Sequence, residues 1–172
     1  GLMALFLAVL KRNEIEDLHK RNVRIRFIGN RSSFTPKLQS MMFKVEELTQ
    51  KNTGTTLIVA ADYGGRWDIS NATRIIAEKV KQGKIDSKDI SVELVHTFTS
   101  LGEYPDPDLC IRTGNEQRIS NFLLWQFAYS EFYFTDCYWP DFDEKGLQLA
   151  LDNFSSRQRR YGGQENAWGM DN

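Results

Sequence analysis

This sequence predicts an α/β fold with a mainly parallel central sheet covered by helices on both faces, and three observations carry that expectation. Short apolar runs at 23–29, 55–61, 108–112 and 132–135 alternate with longer stretches of helical periodicity, the pattern of strands joined by crossover helices. Glycine, proline, asparagine and aspartate collect at the ends of those runs and not inside them, which marks turns. No repeat and no low-complexity linker interrupts the 172 residues, a length that suits one domain with a sizeable core.

The elements follow in order. Positions 1–21 read as a helix, apolar on every face from Leu2 to Leu10 and therefore buried. It begins at Gly1 without a cap, so the chain is expected to continue upstream. A strand at 23–29 leads to a helix at 36–50 with Pro36 at its start, where the missing N–H costs nothing. A buried strand at 55–61 runs into Gly64-Gly65, a tight turn that opens a helix at 68–83. A short helix near 91–97, a strand at 108–112, a helix at 120–128, a strand around 132–135 and a helix at 143–158 complete the pattern. From Gly162 onward the chain reads as a loose tail.

Composition narrows the function. A formal charge of −1 and a pI near 6.2 argue against nucleic acid as the main partner, because backbone binding wants a basic face; the same near-neutral charge weighs against binding through the basic stretch from Arg157 to Tyr161. Cys110 and Cys137 lie in apolar or aromatic runs and read as buried free thiols of a reducing compartment. His19 and His96 are too isolated for a zinc site. The apolar opening is about half the length of a spanning helix and lacks the basic start and cleavage pattern of a signal sequence, which points to a soluble, cytoplasmic protein.

Chemistry is densest between Arg112 and Asp141. Arg112 and Arg118 stand six apart, Ser120 and Asn121 follow, and Glu131 and Asp141 lie among aromatics. Arginine offers a planar fork of donors matched to phosphate oxygens, a hydroxyl or helix N-terminus completes the cradle, and a carboxylate supplies the hard oxygen that Mg²⁺ requires. Arg112 falls at the carboxyl end of a strand and Ser120 at the expected start of a helix, which is where open α/β sheets bind anions. The bland alternative, a solvated polar loop, stays open on these residues alone.

The stretch Arg112-Thr113-Gly114-Asn115-Glu116-Gln117-Arg118-Ile119-Ser120-Asn121-Phe122-Leu123-Leu124-Trp125-Gln126, followed by Glu131-Phe132-Tyr133-Phe134 and Trp139-Pro140-Asp141-Phe142, resembles the carboxyl-terminal signature of the cis-prenyltransferases, specifically the bacterial undecaprenyl diphosphate synthases. The resemblance extends through Asn22–Gly29, Tyr63–Ile69 and Arg159–Gly163, so residues 1–163 look like the carboxyl-terminal portion of a single such domain, with 164–172 as tail.

This resemblance implies an undecaprenyl diphosphate synthase-like fold and a Mg²⁺-dependent condensation of isopentenyl diphosphate with an allylic diphosphate such as farnesyl diphosphate, yielding a long-chain polyprenyl diphosphate. It implies that Arg112, Arg118, Ile119 and Ser120 bind isopentenyl diphosphate, that Glu131 is a metal ligand with Asp141 a weaker candidate, and that Leu2, Leu5, Phe6 and Val9 line a hydrophobic tunnel. Arg160 and Gly162 resemble an element that reaches across a homodimer to the partner's diphosphate site. The lipid product implies peripheral contact with a membrane. The family's catalytic aspartate, in a DGNGRWA segment, has no counterpart in these 172 residues. It is expected upstream of Gly1, and this stretch alone is expected to be inactive. Asp62-Tyr63-Gly64-Gly65-Arg66-Trp67 echoes that segment but matches an internal strand-to-helix motif, and Asp62 is not taken as catalytic. A non-catalytic partner subunit is the alternative; such subunits tend to lose the arginines and the carboxylate retained here.

Overall fold

The computed structural model describes residues 12–157. Helix α1 (Arg12–Lys20) leads to strand β1 (Arg24–Ile28), helix α2 (Pro36–Thr49), strand β2 (Thr56–Ala60), helix α3 (Gly65–Lys81) and the short helix α4 (Val92–Phe98). Strands β3 (Leu109–Arg112) and β4 (Glu131–Phe134) and helix α5 (Glu144–Ser155) follow. The fold is α/β with parallel pairing throughout the described residues, and the strands form two ladders, β1–β2 and β3–β4. They fall in separate compact units that divide at Gly102 and Glu103.

In the first unit the strand-helix alternation works as the periodicity implies. Ile25 and Phe27 point to one face of β1 and are buried with Ile15, Leu38, Met42 and Val45. Thr35 caps α2 by accepting from the Leu38 N–H, and Pro36 takes the first helical position. The N–H groups of Ile25 and Phe27 point away from β2, and α2 supplies their acceptors. Thr49 Oγ1 accepts from Ile25 N at 3.0 Å and Glu46 Oε1 from Phe27 N at 2.9 Å, so this strand edge is plugged by buried side chains and offers no free ladder.

Glu46 is itself held by Arg31, whose two terminal nitrogens reach its oxygens at 2.8 and 2.6 Å. Burial pushes the Glu46 carboxyl up, but the hydrogen bonds from Arg31 and Phe27 and the charges of Arg31 and Arg26 outweigh it and leave it below its ordinary value. Gly29, directly after β1, sits at φ +114°, and a Cβ there would stand 2.1 Å from the Ala61 carbonyl oxygen. Only glycine fits where the chain leaves the strand.

The second unit departs from expectation between 120 and 128. A helix capped by Ser120 or Asn121 is expected there; instead the backbone is left-handed at Ser120 (φ 51°), Asn121 (φ 63°) and Leu123 (φ 42°), and one 3-10 turn spans Gln126–Tyr129. Ser120 therefore caps no helix. Burial of Leu123, Gln126 and Phe127 fixes this path, and tertiary packing overrides the helical propensity of the segment. Cys110 and Cys137 are free and half-buried, less enclosed than the sequence suggests.

Several sequence expectations fall at the two ends of the chain. Gly1, upstream of which the catalytic aspartate is expected, lies outside the described residues. So do the tunnel candidates Leu2, Leu5, Phe6 and Val9 and the cross-dimer candidates Arg160 and Gly162.

Candidate functional site

Side chains alternate across a strand, so the parallel register of β3 and β4 puts Cys110, Arg112, Phe132 and Phe134 on one face and Leu109, Ile111, Glu131 and Tyr133 on the other. The first face, together with Ile111, borders a cavity of about 260 Å³ whose lining is completed by the loop residues Arg118, Ile119, Ser120 and Phe122 and by Phe127. Of the residues singled out in the sequence, Arg112, Arg118, Ile119 and Ser120 are thus brought together around one cavity. No acidic side chain is among the residues that line it.

The loop holds the four residues there by its own bonds. Gly114 (φ 81°) and Asn115 (φ 58°) turn the chain back after β3, and their N–H groups donate to Cys137 O at 2.8 Å and Thr135 O at 3.0 Å. The Arg112 guanidinium donates to the Arg118 carbonyl. Arg118 remains two-thirds exposed, with 68% of its side-chain surface accessible. Between the two guanidiniums stands Glu116, in ion-pair range of both, as a charge contact without an aligned hydrogen bond. Sequence reasoning passed over Glu116, although an acid at i+4 from one arginine and i−2 from the other signals it. Its carboxylate engages the charge of both guanidiniums.

Behind this polar rim the wall is aromatic. Phe122 meets Phe127 edge-on at 5.7 Å, Phe127 meets Phe132 at 5.3 Å, and Phe132 stacks on Phe134 at 5.9 Å. Burial pushes the Cys110 thiol up, and the Arg112 charge pulls against it. A cationic mouth on an apolar floor fits a molecule with an anionic head and a hydrocarbon body.

Glu131 is not part of this arrangement. It opens β4 opposite Leu109, on the other face of the ladder and at the opposite end from Arg112, and its carboxylate accepts from Arg157 at 2.8 Å. Asp141 ends the turn Trp139–Asp141, its N–H donating to Tyr138 O at 2.9 Å. Among the described residues no group of three or more His, Cys, Asp or Glu is placed to hold a metal. Magnesium bound through a carboxylate and substrate phosphates would need that carboxylate beside the arginines, and neither Glu131 nor Asp141 lines the cavity they share.

In the first unit Asp62 takes a left-handed conformation (φ 49°) and its carbonyl accepts from Asn30 N at 3.0 Å. The buried acid of that motif is Asp68, 1% exposed, which the sequence reading missed. It accepts from Tyr63 OH at 2.9 Å, Ser100 N at 2.8 Å and Ser100 Oγ at 2.7 Å, tying the start of α3 to the end of α4. Burial, then the hydrogen bond and charge of Asp68, push the Tyr63 phenol well above its ordinary value.

A family model described as "Putative undecaprenyl diphosphate synthase" matches residues 1–162. The chain belongs to the undecaprenyl diphosphate synthase family. It is 51% identical, over 96% of its length, to the ditrans,polycis-undecaprenyl-diphosphate synthase ((2E,6E)-farnesyl-diphosphate specific) of Escherichia coli K12, and covers 65% of that protein. To the Pseudomonas aeruginosa PAO1 enzyme of the same name it is 50% identical over 94% of its length, covering 64% of it. The chain thus spans just under two thirds of these curated relatives. Its fold matches the crystal structure of lavandulyl diphosphate synthase from Lavandula x intermedia in complex with dimethylallyl diphosphate, with a TM-score of 0.89, 38% identity and coverage of 94% of this chain and 70% of that one. No helix among the described residues is long and apolar enough to cross a membrane.

Proposed function

We propose that this chain supplies the isopentenyl diphosphate site of a cis-prenyltransferase that condenses isopentenyl diphosphate with farnesyl diphosphate into a long-chain, undecaprenyl-type polyprenyl diphosphate. The observation that carries the reading is the grouping of Arg112, Arg118 and Ser120 at the mouth of one cavity with an aromatic floor. In the condensation the allylic carbon loses its diphosphate and bonds to the terminal alkene carbon of isopentenyl diphosphate, which then loses a proton. The two arginines and the serine hold the diphosphate that stays on the nucleophile, and the phenylalanines keep its carbons away from water. Holding one partner still converts part of a bimolecular barrier into binding. Magnesium dependence belongs to the same reading, although Glu131, the carboxylate expected to hold the ion, lies on the face of the ladder away from Arg112.

The homodimer belongs to it too, with Arg160 and Gly162 reaching the partner's site. Its support is the exposed aromatic surface of the second unit, where Tyr129, Trp139 and Tyr138 are 78%, 73% and 69% accessible, an apolar rim suited to self-association.

Calorimetric titration with isopentenyl diphosphate tests the site directly. Saturable binding is expected, weakened roughly ten- to a hundredfold in Arg118→Ala because a charge-assisted hydrogen bond is worth about 1.5–3 kcal/mol. Equal affinity in the variant would remove the assignment. Condensation itself is read as polyprenyl product from farnesyl and radiolabelled isopentenyl diphosphates, assayed with the family's amino-terminal catalytic segment present.

A further inference from the structure

The first unit holds a second set of phosphate-type donors that the proposed condensation does not use. Arg24 and Arg26 alternate with the buried Ile25 and Phe27 along β1, so both lie on the opposite face of that strand. The register sets Thr56 of β2 beside Arg24 on this same face. Arg21, Arg31, Arg74, Arg112, Arg118 and Arg157 each face a carboxylate. Arg24 and Arg26 do not: among the described residues neither guanidinium makes a hydrogen bond or ion pair, and the Thr56 hydroxyl has no partner either. The Arg26 charge reaches Glu46, but the Glu46 oxygens are already taken by Arg31 and Phe27.

Two like charges on neighbouring same-face positions, roughly 7 Å apart along a strand, repel each other. Both residues are half-buried, and the Arg24 Nε is fully enclosed without an acceptor. A desolvated, unsatisfied donor is costly to keep, and an oxyanion shared by the terminal nitrogens of the two guanidiniums removes the repulsion. We propose that Arg24, Arg26 and Thr56 form a binding site for an oxyanion of the phosphate or diphosphate class, independent of the reading given to the cavity at Arg112.

The test is a titration of the full chain with inorganic diphosphate at fixed ionic strength, followed through the Nε–H resonance of Arg24 and the melting temperature. The Arg24 resonance moves saturably, and at ten times the dissociation constant the melting temperature rises by roughly 3–6 °C. Arg112→Gln/Arg118→Gln keeps the Arg24 response. In Arg24→Gln/Arg26→Gln the rise due to this site is lost. Thr56→Val, which preserves both charges and suits a strand, weakens the response severalfold and serves if the double variant fails to fold. An unmoved Arg24 resonance, a full response in Arg24→Gln/Arg26→Gln, or an equal response to acetate would each overturn the assignment.

Discussion

The two parallel ladders are built alike and used differently. In β1–β2 the strand alternates buried and half-buried residues, its outer edge is closed by Thr49 and Glu46, and the glycine after it is wedged against the neighbouring strand. In β3–β4 no strand residue is fully buried, the glycine after β3 has open space, and the following loop carries left-handed residues and three linked charged groups. Order in the first ladder comes from exclusion of water and satisfied backbone donors. In the second, order is concentrated in loop hydrogen bonds around exposed cations, the condition under which a site can exchange an internal carboxylate for a ligand.

Gly29→Ala is the severest way to test that contrast. The new Cβ would meet the Ala61 carbonyl oxygen at 2.1 Å, with the Asp62 carbonyl oxygen at 3.0 Å, and no flexible side chain can give way. The end of the β1–β2 ladder has to open, at a cost above about 3 kcal/mol. Urea denaturation measures it; a loss below about 1 kcal/mol would show that this junction is as pliant as the loop after β3.

Glu46→Gln probes the plugged edge through pH. Glu46 has its folded value lowered below the ordinary 4.5, so its contribution to stability is fully present above that value and disappears as pH falls through the folded one. Because Arg31 is 39% exposed, screening limits the loss at neutral pH to about 1–2 kcal/mol. Wild type and variant should converge as pH falls through the lowered folded value. Parallel stability profiles from neutral pH down to that point would mean that the Arg31 pair contributes nothing measurable.

Much of the fold was legible because periodicity reports burial. All four strands and the helices at Pro36, Gly65, Val92 and Glu144 fall within a few residues of the sequence reading. The arginine cluster was legible through residue type and spacing. The helix at 120–128 was misread because Ser120-Asn121 makes a good cap on paper, while the buried Leu123 and Phe127 demand a path that bends through left-handed conformations. Glu46 and Asp68 were missed for a related reason: an acid within a helical run looks solvated until the strand donors or hydroxyls it satisfies are placed beside it. The separation of Glu131 from Arg112 follows from alternation, but only once the β3–β4 register is known.

Gly114→Ala should give a small effect and the sharpest contrast with Gly29. Both glycines follow a strand and both have positive φ, +81° at Gly114 and +114° at Gly29. The difference is space, since the nearest atom to a Cβ at Gly114 is Tyr138 Cδ1 at 4.0 Å, an ordinary contact. Only the left-handed backbone then penalises alanine, by about 1–2 kcal/mol. Asn115, which follows at φ 58°, already shows that this turn accepts a side chain in that region. The local penalty should appear as a small drop in denaturation midpoint with an unchanged m-value, and as weaker isopentenyl diphosphate binding, because the Gly114 and Asn115 N–H bonds to Cys137 and Thr135 set the turn that carries Arg118. A loss matching that of Gly29→Ala would mean that the two junctions are equally constrained, and the distinction between a packed ladder and a loop-ordered one would fail.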